Sequence, residues 1–163
     1  MRSTAIAVIY LDVMEERVKP FGLWRYGRDF LDAGEKIKDP RKPDHLLDHH
    51  APTTAYYLVS HSIELLLKSY LRAKGKNLKE LRKIGHNLVE AISQCEAEGI
   101  QDLVEITEET KAEIALLNQT YASKDFEYFK QGYFELPYYE RICYFSESLR
   151  DGLHDFTYST LKP

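Results

Sequence analysis

The stretch Tyr56-Tyr-Leu-Val-Ser-His-Ser-Ile-Glu-Leu-Leu-Leu-Lys-Ser-Tyr-Leu-Arg-Ala-Lys-Gly75 decides the fold. Tyr56, Val59, Ile63, Leu66 and Tyr70 step by three and four residues, the repeat of one helical face. Leu58, Leu65, Leu67 and Leu71 widen that stripe until little of the surface is left for water. Arg72 and Lys74 suit the negative end of a helix dipole, and Gly75 supplies a C-terminal stop. A helix this apolar belongs in the middle of a bundle.

Upstream, Trp24, Gly27, Phe30, Leu31, Gly34 and Ile37 lie at helical spacing and predict a first helix over residues 23–38. Its glycines weaken it but let a neighbouring helix approach closely. Residues 1–22 read as an N-terminal extension, with residues 6–11 open to strand or helix. Downstream, Asn87 is a candidate N-cap for a helix burying Leu88, Ile92 and Cys95 and ending at Gly99. A further helix starts near Thr107 and presents Ile114, Leu117 and Tyr121. Pro137 suits the first position of a last helix, lined by Tyr138, Ile142, Phe145, Leu149, Leu153 and Phe156. The expected fold is all-α: an up-and-down bundle of four to five helices over residues 23–160.

Composition bounds the function. A chain of 163 residues, 44% apolar and 29% charged, suits one globular domain. No apolar run is long enough to span a bilayer, and no signal peptide is visible, so a cytoplasmic protein is expected. Cys95 and Cys143 have no second cysteine or histidine at metal-ligand spacing and read as buried thiols. A net charge of −4 argues against indiscriminate nucleic-acid binding. The charges are nonetheless segregated. Lys68, Arg72, Lys74, Lys76, Lys79, Arg82 and Lys83 crowd one stretch; Glu96, Glu98, Asp102, Glu105, Glu108, Glu109 and Glu113 crowd the next. These are either two solvated helix ends or a phosphate-attracting patch beside an acidic one that meets its counterpart in a dimer.

The order Tyr57 to Leu71, then Gly75, then Gly85-His-Asn-Leu88, then Leu117-Asn-Gln-Thr-Tyr121 with Phe126-Glu-Tyr128, resembles the HEPN family of small helical bundles. Glu64, Lys68 and Leu71 stand where that family has its Glu-x3-Lys-x2-Leu core, and His86-Asn87-Leu88 where it has a His-(Asp/Asn)-Leu helix start. The resemblance implies a homodimer linked to nucleotides or RNA. Such a domain is either a metal-independent ribonuclease or a non-catalytic member, often beside a nucleotidyltransferase-type partner in a toxin-antitoxin or defence system. The family's nuclease motif, Arg-x4-6-His, is missing from its expected place, so a non-catalytic domain binding a nucleotide, RNA or a protein partner is expected. The alternatives are a ribonuclease using a noncanonical Arg/His pair and a structural homodimerisation module.

His61, Glu64, Lys68 and Arg72 are spaced three, four and four apart and share a helix face. Such a stripe is ordinarily a surface ion-pair row worth ~0.2–0.5 kcal/mol per pair. Inside an apolar helix it needs a partner or a cleft, and with His86 it forms the ligand-binding candidate. Arg150 and His154 are the catalytic candidate: an imidazole can deprotonate a ribose 2′-hydroxyl while a guanidinium stabilises the phosphorane. His45, Asp48 and His49 fall at metal-ligand spacing if helical, but read more simply as a polar connection. No metal or cofactor is expected. The aromatics from Phe126 to Phe145 read as core or dimer interface rather than as a base-stacking platform.

Overall fold

Every position of the Tyr56–Val59–Ile63–Leu66–Tyr70 stripe is buried, and Leu67 and Leu71 with it. The computed structural model describes residues 17–37, 52–128 and 135–161. Their regular structure is entirely helical: α1 Pro20–Ile37, α2 Thr53–Ala73, α3 Leu78–Ile84, α4 Leu88–Ala97, α5 Glu108–Ala122 and α6 Tyr139–Ser159, with a 3-10 turn at Ile100–Asp102. Residues 6–11 and the His45–Asp48–His49 group lie outside the described residues.

Contacts between helices fix their directions. Gly27 faces Leu66 and Ser62 while Gly34 faces Val59 and Ala55, so α1 runs antiparallel to α2. An added Cβ would lie 2.7 Å from Leu66 at Gly27 and 2.8 Å from Val59 at Gly34, so the bare backbones of both glycines permit the close approach. Along α6, Tyr139 meets Tyr56, Ser146 meets Ser62 and Phe156 meets Tyr70, so α6 runs with α2. Between them the chain turns back along α2 through α3, advances through α4 and returns through α5, giving the alternating directions of an up-and-down bundle.

Local chemistry accounts for the boundaries, and corrects several. The first described helix begins at Pro20 rather than residue 23, because proline's fixed φ and missing N–H suit a first turn. Six helices stand among the described residues instead of four or five, the extra one being α3. It is held by a capping box: Asn77 Oδ1 accepts from the Glu80 amide at 2.9 Å and Glu80 Oε2 from the Asn77 amide at 2.8 Å. Asn87 caps α4 as expected, and α5 starts near Thr107 as expected, with the Thr107 side chain as its cap. Pro137 is not the first residue of the last helix, which starts at Tyr139. Its carbonyl instead accepts the buried Tyr56 hydroxyl at 2.8 Å. With that start, Tyr139 turns inward and Tyr138 is half exposed, whereas Ile142, Phe145, Leu149 and Leu153 line the core. Both cysteines are free and buried.

Candidate functional site

Glu64 is the one acidic residue buried among the described residues, only 4% exposed. A buried carboxylate is costly unless its oxygens are satisfied, and the fold supplies donors from three elements. Lys68, one turn further along α2, donates its Nζ to Oε1 at 2.6 Å. The Tyr121 hydroxyl at the end of α5 donates to Oε2 at 2.6 Å. His86, in the turn between α3 and α4, places Nδ1 2.8 Å from the same oxygen. Burial by itself raises the Glu64 pKa; His61, Lys68 and Tyr121 outweigh it and hold the carboxyl well below its ordinary range. Burial, and then the Glu64 charge, drive the Tyr121 phenol upward. The site therefore contains an ionised carboxylate and a neutral phenol.

The ring tautomers follow from these partners. An ionised carboxylate only accepts, so His86 Nδ1 carries a proton. The Tyr121 proton is committed to Glu64, so at 2.9 Å its oxygen accepts from Nδ1 of His61. Both imidazoles are thus held by Nδ1 with their Nε2 edges turned away from the carboxylate, and both side chains reach solvent, at 22% and 34% exposure. Tyr57 stacks on His61 with ring centroids 6.0 Å apart, and Phe30 meets the same ring edge-on at 4.6 Å.

The α3–α4 turn is built to reach this point. Gly85 adopts φ +59°, ψ −131°, a region that side-chain-bearing residues avoid, and its carbonyl accepts Lys68 Nζ at 2.7 Å. The Leu88 amide donates to Asn118 Oδ1 at 2.8 Å, tying the start of α4 to α5. Lys68 is thereby fixed between a helix partner and a turn carbonyl.

The structure brings together His61, Glu64, Lys68 and His86 from the expected set, and adds Tyr121 and the Gly85 carbonyl. Arg72 is directed elsewhere: its Nε donates to the Val18 carbonyl at 3.1 Å and its Nη1 to the Lys76 carbonyl at 3.0 Å, at the far end of α2. Tyr121 was visible as the terminal tyrosine of its helix, but no local spacing marks it as a partner of Glu64. The ligand atoms of His61, Glu64 and His86 also lie within 4.8 Å of one another, close enough to share a cation.

Arg150 and His154 share a shallow hollow of about 530 Å³ with Trp24, Arg28 and Asp32, away from this network. Each already has an acidic neighbour. Arg150 Nε donates to Asp151 at 2.7 Å, and His154 Nδ1 is 2.8 Å from Asp155. The His154 ring packs against Trp24 and Tyr158, while the Arg150 carbonyl accepts the Trp24 indole N–H at 2.8 Å. A groove of about 540 Å³ lies between the start of α5 and α6, lined by Glu105, Glu113, Arg141 and Tyr144. Arg141 binds Glu109, and Glu113 at 2.8 Å, while Lys111 binds Glu96 at 2.7 Å, so the acidic stretch is partly neutralised within the chain.

Comparison with models of protein families, with curated proteins and with solved structures finds no match. Among the described residues no helix is long and apolar enough to cross a membrane.

Proposed function

We propose that the chain is a non-catalytic, HEPN-like domain that binds a nucleotide or a short RNA where His61 and His86 emerge beside α2, and that it works as a homodimer. The observation that carries this reading is the clamping of two partly exposed imidazoles by one buried carboxylate, directly at His86 and through Tyr121 at His61. An Nε2 edge accepts from a ribose hydroxyl in the neutral ring and donates to phosphate when protonated. Tyr57 and Phe30, both half-buried, supply an aromatic wall beside His61 for a base or sugar. Arg82 and Lys83, exposed at the end of α3, precede His86 in the chain and add positive charge for a phosphate. A non-catalytic role is supported by the missing Arg-x4-6-His pattern and by the aspartate partners of Arg150 and His154.

Calorimetric titration of the metal-free protein with mononucleotides and short RNAs tests the reading. Saturable heat is expected, with affinity reduced at least ~10-fold in His86→Ala, since a lost charged hydrogen bond is worth roughly 1.5–3 kcal/mol. No heat from any of these ligands sinks the ligand reading. Sedimentation as a monomer at the same concentration sinks the homodimer.

A further inference from the structure

Glu64 divides its two oxygens unequally. Oε1 is taken by Lys68, which the Gly85 carbonyl holds in place. Oε2 is the focus of the remaining polar groups: His86 Nδ1 at 2.8 Å, the Tyr121 hydroxyl at 2.6 Å and His61 Nδ1 at 3.8 Å. Three elements, α2, the α3–α4 turn and α5, thus aim two nitrogens and two oxygens at one small volume.

We infer that this cluster is a binding site for a divalent transition-metal ion of the zinc type, with His61 Nδ1, Glu64 Oε2 and His86 Nδ1 as ligands and the Tyr121 oxygen or a water as the fourth. Two imidazoles and a carboxylate are the donor set zinc takes at sites that keep one position open. Ligands ~2.0–2.1 Å from a tetrahedral ion lie ~3.3–3.4 Å from one another. The separations of 2.6, 2.8, 2.9 and 3.8 Å bracket that value, and the two nitrogens and the carboxylate oxygen all lie within 4.8 Å of one another, so loading asks for adjustments of side chains that already converge on one point. The Lys68 bond to Oε1 supplies the outer partner that orients a ligating carboxylate, leaving Oε2 to the ion. On loading, each imidazole moves its proton from Nδ1 to Nε2. The Tyr121 proton leaves if its oxygen ligates, which offsets part of the ion's charge. The sequence gives no spacing signal for this set, because 22 residues separate Glu64 from His86. The inference is independent of the ligand proposed above.

The test uses the full chain stripped with chelator and titrated with zinc, and with cobalt as a spectroscopic probe. The site predicts one ion per chain, a rise in the unfolding midpoint, and visible cobalt bands of four- or five-coordinate intensity. His61→Ala and His86→Ala should each weaken zinc at least ~10-fold, in keeping with the sensitivity of metal sites to their surroundings. His86→Gln removes the ligand with little change in volume, and circular dichroism establishes that each variant remains folded. Stoichiometric uptake lost in the three variants and retained in the double variant His45→Ala/His49→Ala is the expected result. No stoichiometric uptake by the wild type overturns the inference. So does uptake that survives loss of His61 and His86 but vanishes without His45 and His49. Nucleotide heat without zinc uptake, or the converse, separates the two proposals.

Discussion

Replacing Glu64 by glutamine in metal-free protein keeps the shape of the side chain and removes its charge. The carboxylate accepts from Lys68, Tyr121 and His86; an amide offers one accepting oxygen and one donating nitrogen. If the oxygen stays with Tyr121 and His86, the amide N–H groups face the Lys68 ammonium. Breaking a buried ion pair by removing one partner costs about 3–5 kcal/mol. Lys68 is 13% exposed and keeps its bond to Gly85, so the lower part of that range applies. A loss of about 3–4 kcal/mol is expected at neutral pH, or roughly 6–16 °C in midpoint for a chain of this size. The pH dependence follows from the lowered native pKa of Glu64. Its contribution is complete above the ordinary value of 4.5 and is lost as pH falls from there toward the native value. The gap between wild type and Glu64→Gln should therefore narrow below that pH. Urea denaturation at pH 7 and through the acid range reads both quantities. A gap under about 0.5 kcal/mol at pH 7, or one that widens on acidification, refutes the reasoning.

Three further outcomes follow from the geometry. In Gly152→Ala the new methyl would lie 2.6 Å from the Leu103 carbonyl oxygen and 2.6 Å from Val104 Cγ2. Overpacking of about 1–3 kcal/mol should exceed the ~1 kcal/mol gained in helix propensity, so the midpoint falls; a rise counts against the packing described. Asn77→Ala removes half of the α3 capping box and should cost about 1 kcal/mol by denaturant titration, while an unchanged midpoint denies the cap any weight. Burial pushes the Cys143 thiol up to about 12 and Cys95 up still further, so a thiol reagent at pH 8 should react slowly with native protein and fast in denaturant. Equal rates in both conditions would contradict that burial.

The parts of the structure governed by local spacing were legible in the sequence. The α2 stripe, the Asn87 cap, the start of α5 near Thr107 and the Glu64–Lys68 pair all express relations within one or two turns of chain. The α3 cap obeys the same rule, Asn77 three residues before Glu80, but the crowd of lysines around it masks the helix behind a charge pattern. The last helix starts two residues beyond Pro137, whose carbonyl takes the Tyr56 hydroxyl, a contact spanning 81 residues that no local pattern displays. The site divides in the same way. Arg72 keeps the four-residue step after Lys68, yet that extra turn carries it to the Val18 and Lys76 carbonyls. Tyr121 joins Glu64 across 57 residues, a meeting that only the folded chain displays.

The Gly85 turn has a consequence for how the molecule breathes. Its carbonyl and the next residue's imidazole both depend on α2, through Lys68 and Glu64. For the turn to open alone, a half-buried ammonium must lose an acceptor while the buried carboxylate beside it loses a donor. Amide protons around His86 should therefore exchange with solvent only in the rare, larger openings that also release α2 and α5, however near the surface they lie. A short loop at the edge of the bundle is in this sense part of its slowest-opening unit.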